Sequence, residues 1–560
     1  MSNKDFYWLT DNSRLFLSRG YLLEGQSAEE RLKDISDKAE EILGIEGFSD
    51  KFYGYLGKGF YSLSTPVWTN FGNGKGGMPI SCFGSVPQDN TASLLHTVSE
   101  VGYMSKIGGG TSGFFGHIRP RGAEIKNNGH SSGAVHFMKL FEQMTDTISQ
   151  GNSRRGRFSP YLPIDHPDIE EFLEIGVEGN DIQSLTHGVT ISDEWMTEMI
   201  AGDRDKRAIW AKVLQRRVEM GYPYIFFEDT VNNNKPKWYK DHPITHSNLC
   251  SEIALPNNER WSFVCNLSSM NLLNYDEWKD TDAVETMIYF LDAVMTEFIE
   301  KLEKLRDSDD IEYTEAFHFM ERAYTFAKEN RALGLGTFAW HSLLQSKMIA
   351  FESEEASLLN EEVFRIIRRR SEKASAELAD MFGEPEVMKG TGYRNSTLMA
   401  LAPTTSSAFI IGQASQSIEP VWSNNYVKDV AKAKVTVQNE YLREVLKRYN
   451  KDTRETWIDI RNHDGSVQHL DYLTEHEKNV FKTFPEINQY EIINQASIRQ
   501  NYIDQGQSLN IMINPTTSAK ELNELHLYAW ENGIKTLYYQ HSTNAAQKLY
   551  QSSVCLACEA

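Results

Sequence analysis

The chain has 560 residues, with 57 Lys+Arg against 78 Asp+Glu for a formal net charge of −21, 40% apolar and 24% charged residues. That acidic balance excludes a general nucleic-acid coat, because binding a phosphate backbone needs clustered Lys and Arg. The N-terminal MSNKDFYW lacks the apolar stretch of a signal peptide and no run of about 18 apolar residues could span a bilayer, so the expected location is the cytoplasm, the host's if the chain is viral.

Domains of roughly 150 residues would divide this length into three or four, but large α/β barrels break that prior and one core is permitted. Gly/Asn/Ser-rich stretches at 71–78, 108–113, 126–133 and 151–157 read as loops. Gly108, Gly110 and Gly113 fit GxGxxG, yet no clean strand precedes them, and no GxxxxGK[ST] is present to make a P-loop. Strand-like runs at Tyr224–Phe227, Phe263–Cys265 and Ala408–Ile411 alternate with helical segments, which favours α/β with a buried sheet. Over 284–305, Met287, Leu291, Val294, Phe298, Leu302 and Leu305 recur at three- and four-residue spacing, the pattern of a helix lying on a core. A second helix is expected over about 353–382, ending at Gly383, with Arg368, Arg369 and Arg370 on a solvated face. The small, polar residues 543–560 read as a mobile tail.

Five cysteines, Cys82, Cys250, Cys265, Cys555 and Cys558, are too few and too odd in number for a structural disulfide framework. The terminal Cys555-Leu-Ala-Cys558 has no second pair of zinc ligands at matching spacing, so thiol exchange is its better use and no metal site is expected. The 16 residues from Tyr539 to Cys555 would reach roughly 50 Å when extended, enough to carry reducing equivalents outward. In Ser247-Asn248-Leu249-Cys250-Ser251-Glu252, alternate residues Asn248, Cys250 and Glu252 project to one side and bring an amide, a thiol and a carboxylate together. Pro403-Thr404-Thr405-Ser406-Ser407 is a run of hydroxyl and N–H donors suited to phosphate, or equally a helix cap. Tyr538 and Tyr539 are a packing pair unless something requires a redox-active aromatic chain.

Taken together, SNLCSEI, VCNLSSMNL, SKIGGG, GYPYIFFEDTVN, PTTSS followed by Gln416-Ser-Ile-Glu419-Pro420, TLYYQ and the terminal CxxC occur in one order from about residue 50 onward. This set resembles the large (α, catalytic) subunit of class I ribonucleotide reductase, in a short form without the N-terminal ATP-cone and hence without dATP shut-off. The resemblance implies a ten-stranded α/β barrel of two five-stranded halves with a central finger loop over 61–542, a short helical region over 1–60 and a redox tail over 543–560. It implies reduction of ribonucleoside diphosphates to their 2′-deoxy forms. A partner β subunit holding a metal or metal-tyrosyl radical cofactor draws an electron through Tyr539 and Tyr538 and leaves Cys250 as a thiyl radical. Cys250 removes the ribose 3′-hydrogen, Glu252 takes the 3′-OH proton, Cys82 protonates the leaving 2′-OH, and Cys82 and Cys265 close a disulfide. Cys555 and Cys558 reopen it and are reset by thioredoxin or glutaredoxin.

The same resemblance assigns substrate binding to Thr65, Ser81, Gly110, the 248–252 segment with Leu249 and Ser251, and Pro403–Ser407. Asp89, Lys126, Arg154 and Arg155 fall where a deoxynucleotide or ATP effector binds, and 151–161 where effector and substrate sites are linked. An effector-dependent homodimer is a further expectation, with no cofactor held by this chain and no membrane or nucleic-acid partner. Rival readings are an adenosylcobalamin-dependent class II enzyme, which has no need of Tyr538 and Tyr539, and a nucleotide-binding regulatory homologue that has lost its chemistry.

Overall fold

A computed structural model describes residues 5–74, 77–80, 82–148, 156–412, 414–430 and 433–542. Among the described residues, strands follow in chain order: β1 Tyr61–Leu63, β2 Cys82–Ser85, β3 Gly110–Phe114, β4 Arg157–Pro163, β5 Gly188–Ile191, β6 Tyr224–Phe227, β7 Phe263–Asn271, β8 Leu333–Phe338, β9 Asn425–Val430, β10 Ala433–Gln438, β11 Ile511–Ile513, β12 Thr536–Leu537 and β13 Gln540–Ser542.

Strands β2 to β6 pair in sequence order, each parallel to the next. Strand β7 starts a second parallel set with β8, and the set continues through parallel bridges at Leu335–Met399 and Leu401–Gln507 to the parallel pair β11–β13. The halves meet antiparallel at two seams, β2 on β7 and β6 on β12. Ten strand positions therefore close into a ring, the barrel expected from the resemblance. Its connections are long and helical, as parallel neighbours require.

The helix predicted at 284–305 spans Ala283–Arg306, but it is buried on more than one face, packed between helices Ile311–Asn330 and Glu354–Phe382 as well as on β7. Its buried Asp292 is held by Arg331 Nε and Arg394 Nε, each at 2.9 Å, so the acid is compensated within the core. Helix Glu354–Phe382 starts at a Ser353 cap and ends at Gly383 with φ +81°, a conformation that favours glycine. Two of its arginines are not solvated as expected: Arg368 pairs with Asp504 at 2.7 Å, and Arg370 donates to the Thr281 carbonyl.

Three further expectations change. Residues 408–410 belong to a short helix, Thr405–Ile410, which Ile411 caps, rather than to a strand. The glycine run is only partly loop, since Gly110–Phe114 is β3, and Arg157 opens β4 instead of lying in a loop. Glycines in these strands serve packing. A Cβ on Gly188 would sit 2.2 Å from the ring of Tyr161, its partner across β4–β5, so only glycine lets that ring lie flat over the strand.

Four buried histidines, His187, His246, His341 and His526, are pushed down to about 3 by burial. The unfolded chain binds these protons near pH 6.5, so their contribution to stability is complete above that pH and is lost as pH falls toward 3. Glu419, pushed up to about 7 by burial, opposes them by one proton because the unfolded carboxyl is already ionised. Unfolding at pH 5.5 should take up about three protons net from these groups, a slope of about 4 kcal/mol per pH unit in unfolding free energy. A slope near zero between pH 6 and 5 would contradict the neutral burial of the histidines.

Candidate active site

The β2–β7 register sets Cys82 directly opposite Cys265. Facing residues in an antiparallel pair have Cα atoms about 4.5–5.5 Å apart, within the span of a disulfide. Both thiols are unbridged, and Cys265 is wholly buried. Burial pushes the Cys265 thiol well above its ordinary range, with a hydrogen bond from Gln505 acting against it, so this sulfur is held as the protonated thiol. Gln505 Nε2 reaches Cys265 Sγ at 3.4 Å, while its Oε1 accepts the Ala254 N–H at 3.1 Å.

Between β6 and β7 the chain runs through residues 245–257 without regular structure yet largely buried. This segment touches opposite walls. Asn248 Nδ2 meets Cys82 Sγ on β2 at 3.5 Å, Ser247 Oγ meets Tyr161 Oη on β4 at 2.7 Å, and the Glu252 carbonyl accepts the Gly506 N–H at 2.8 Å from the other half. A loop that contacts both halves lies in the lumen, where the finger loop was expected. Its tip turns at Ser251, with φ +69° and its N–H on the Asn248 carbonyl.

The tip brings together what the sequence spacing put on one side. Glu252 is buried, its Oε2 3.0 Å from Ser508 Oγ, and the same hydroxyl donates to the Cys250 carbonyl at 2.5 Å. Asn248 Oδ1 accepts the Ile253 N–H at 3.0 Å, which fixes the amide so that its N–H₂ faces Cys82. Cys250 packs with Tyr161, Tyr224, Tyr538 and Tyr539 in one cluster. The rings of Tyr538 and Tyr539 are 4.3 Å apart, and Tyr224 lies 4.8 Å and 5.2 Å from them.

The other described substrate candidates lie on or just beyond barrel strands. Gly110 pairs with Cys82 across β2–β3. Thr65 opens a short helix just after β1, its hydroxyl 3.1 Å from Tyr21 Oη. Pro403–Ser407 leaves the barrel just after Leu401, and the Ser407 carbonyl accepts from Ser62 Oγ on β1 at 3.4 Å. Thr404 is an N-cap in left-handed backbone, φ +54°, with its hydroxyl taking the Ser417 N–H at 2.8 Å; Pro403, Thr405 and Ser406 remain partly exposed.

A family model described as "Ribonucleotide reductase, barrel domain" matches residues 80–206, 201–389 and 384–540. The chain belongs to the ribonucleotide reductase family. Its fold superposes on the Actinobacillus ureae class Id ribonucleotide reductase alpha subunit with TM-score 0.90 and 51% identity, covering 98% of this chain and 99% of that one. Ribonucleoside-diphosphate reductase large subunit of Invertebrate iridescent virus 3 is 31% identical over 94% of this chain and 92% of its own length. A putative large subunit of Frog virus 3 is 34% identical, with 89% and 88% covered. The chain is thus a class I large subunit.

Asp89 is engaged by Arg119, whose Nε donates at 2.7 Å and whose backbone N–H reaches the other carboxylate oxygen at 3.3 Å. Lys126 is exposed on the turn that follows. Ser81, Arg154, Arg155, Cys555 and Cys558 lie outside the described residues. Sequence reasoning missed Gln505, Ser508 and Tyr161. None carries a motif signal of its own, because each acts by holding another residue across the reductase barrel. Among the described residues no helix is long and apolar enough to cross a membrane.

Proposed function

We propose that this ribonucleotide reductase subunit reduces ribonucleoside diphosphates to 2′-deoxyribonucleoside diphosphates through a thiyl radical on Cys250. The observation that carries the reading is the position of Cys250, in a barrel interior shared with a facing dithiol and a pair of adjacent tyrosine rings. As in class I enzymes, the radical originates in a partner β subunit, so this chain's part is to conduct it, confine it and supply protons and electrons.

Tyr539 and Tyr538 conduct the oxidising equivalent to Cys250. The finger loop holds that sulfur where it meets the ribose 3′-hydrogen and keeps Glu252 beside it. Glu252 accepts the 3′-OH proton, with Ser508 as the hydrogen-bond partner that fixes the carboxyl before and after. Cys82 gives its proton to the departing 2′-OH, and the Asn248 amide stabilises the sulfur as charge develops on it. Cys265, kept protonated by burial, completes the two-electron reduction by closing the disulfide with Cys82. Thr65, Ser81, Gly110 and Pro403–Ser407 hold the nucleotide, the last through its hydroxyl and N–H donors.

Residues 1–60, 61–542 and 543–560 act as support, catalytic barrel and redox tail. Asp89, Lys126, Arg154 and Arg155 take a deoxynucleotide or ATP effector, which also favours a homodimer. Cys555 and Cys558 reduce the Cys82–Cys265 disulfide and are reset by thioredoxin or glutaredoxin. Cys555→Ser should keep dithiothreitol-driven turnover and lose thioredoxin-driven turnover; equal loss with both reductants would remove the shuttle role.

The deciding experiment measures deoxynucleotide formation with effector and dithiothreitol for the chain alone, with adenosylcobalamin, and with a radical-generating β subunit. Product only with the β subunit supports this reading. Product with cobalamin alone would make Tyr538 and Tyr539 packing residues.

A further inference from the structure

Aromatic packing does not stop at Tyr539. Among its described ring contacts, Tyr222, Tyr224 and Tyr538 lie 6.4, 5.2 and 4.3 Å away and are at most 2% exposed, so they lead inward. The fourth contact leads outward. His541 stacks on Tyr539 at 5.8 Å and meets Trp422 edge-on at 4.6 Å, and Trp422 is 37% exposed.

The indole has a proton acceptor. Glu419, three residues before it in the chain, interacts with the indole and is buried, and its Oε1 accepts from Asn510 Nδ2 at 2.6 Å. Asn510 Oδ1 in turn accepts the Tyr539 N–H at 3.0 Å, so one amide fixes both Tyr539 and the base behind Trp422. Phenol and indole are the most readily oxidised aromatic side chains, and both lose a proton on becoming neutral radicals. A buried carboxyl beside the indole is therefore a group that an oxidisable tryptophan can use and a packing tryptophan does not need.

We propose that Trp422 is a third redox station of this reductase, exchanging the oxidising equivalent with Tyr539 across His541 and passing its indole proton to Glu419. The proposal rests on the reading that Tyr539 carries that equivalent. In the exchange the Tyr539 phenoxyl radical gains one electron from the indole and one proton from solvent, restoring the phenol. Trp422 loses that electron and its N–H proton, leaving a neutral indolyl radical beside a protonated Glu419. The reverse step returns the electron to Trp422 and the indole proton from Glu419. The only oxidant is the radical the β subunit already supplies.

The test uses the full chain with Cys250→Ser, which blocks onward transfer to sulfur, mixed with the β subunit, substrate diphosphate and effector and frozen for electron paramagnetic resonance. Chain grown with ring-deuterated tryptophan should show a narrowed component. That component should vanish in Trp422→Phe and in Glu419→Gln, leaving only a tyrosyl signal. A slower readout accumulates over the same incubation: oxygen adducts on the peptide bearing Trp422, formed only with the β subunit present and absent in Tyr539→Phe. A spectrum indifferent to tryptophan deuteration, with no adducts at Trp422, overturns the proposal. The unsubstituted chain serves as the control for the underlying reading. If it makes no deoxynucleotide with the β subunit, the role of Tyr539 fails and this inference with it, whereas turnover without the tryptophan signals rejects Trp422 alone.

Discussion

Cys250→Ser should eliminate deoxynucleotide formation, by at least ~10⁴-fold, while nucleotide affinity stays within about twofold of the parent. The reason is chemical. A hydroxyl O–H is far harder to cleave homolytically than a thiol S–H, and a barrier increase of only ~6 kcal/mol already removes about four decades of rate. The exchange of sulfur for oxygen leaves the fold nearly untouched, because the loop tip is set by backbone contacts: the Ser251 N–H on Asn248, the Gly506 N–H on Glu252 and the Ser508 hydroxyl on the Cys250 carbonyl. Steady-state turnover with the β subunit, alongside equilibrium binding of the diphosphate, separates the two effects. Residual reduction above one part in about a thousand would refute a thiyl radical at this position.

Tyr538→Phe should be nearly as damaging, with turnover reduced by at least ~10³-fold and substrate binding unchanged. Phenylalanine keeps the ring against Tyr224 and Tyr539 but cannot be oxidised at the potentials a phenol can. The loss of one hydroxyl from a buried ring costs about 1 kcal/mol of stability, too little to unfold a domain of this size. Turnover close to that of the parent, in protein with a parental thermal midpoint, would show that the oxidising equivalent reaches Cys250 by another route. The same substitution at Tyr539 should behave alike, since the two rings are in contact 4.3 Å apart.

The chemistry was more legible in the sequence than the architecture. Asn248, Cys250 and Glu252 could be read as one site from their alternation, and the structure puts them on one loop, with Asn248 against Cys82 and with the Glu252 carboxyl and the Cys250 carbonyl against Ser508. The pairing of Cys82 with Cys265 could not be read that way. They stand 265 − 82 = 183 residues apart, and only the resemblance joined them, because a seam between two half-barrels leaves no local period. Likewise the alternation of strands and helices supported α/β but not a ring, whose closure rests on bridges at Leu335–Met399 and Leu401–Gln507 too short to show in a pattern. Arg368 and Arg370 looked solvated because charge runs usually are. Their acceptors, Asp504, Glu285 and the Thr281 carbonyl, come from distant segments invisible to helical periodicity. Residues 408–411 are apolar enough for a strand, but the turn at Thr404 starts a helix first.

The seam between β2 and β7 also determines which changes of length this chain can survive. Strand side chains alternate faces with a period of two, so a single residue inserted or deleted among 83–85 or at 263–264 would turn one sulfur away from the other. Such an indel leaves every chemical group present, yet it removes the electron pair that each turnover consumes. Substitutions around the dithiol can adjust its rate by degrees. A shift in register has no intermediate setting, and in this region sequence length is held as tightly as the cysteines themselves.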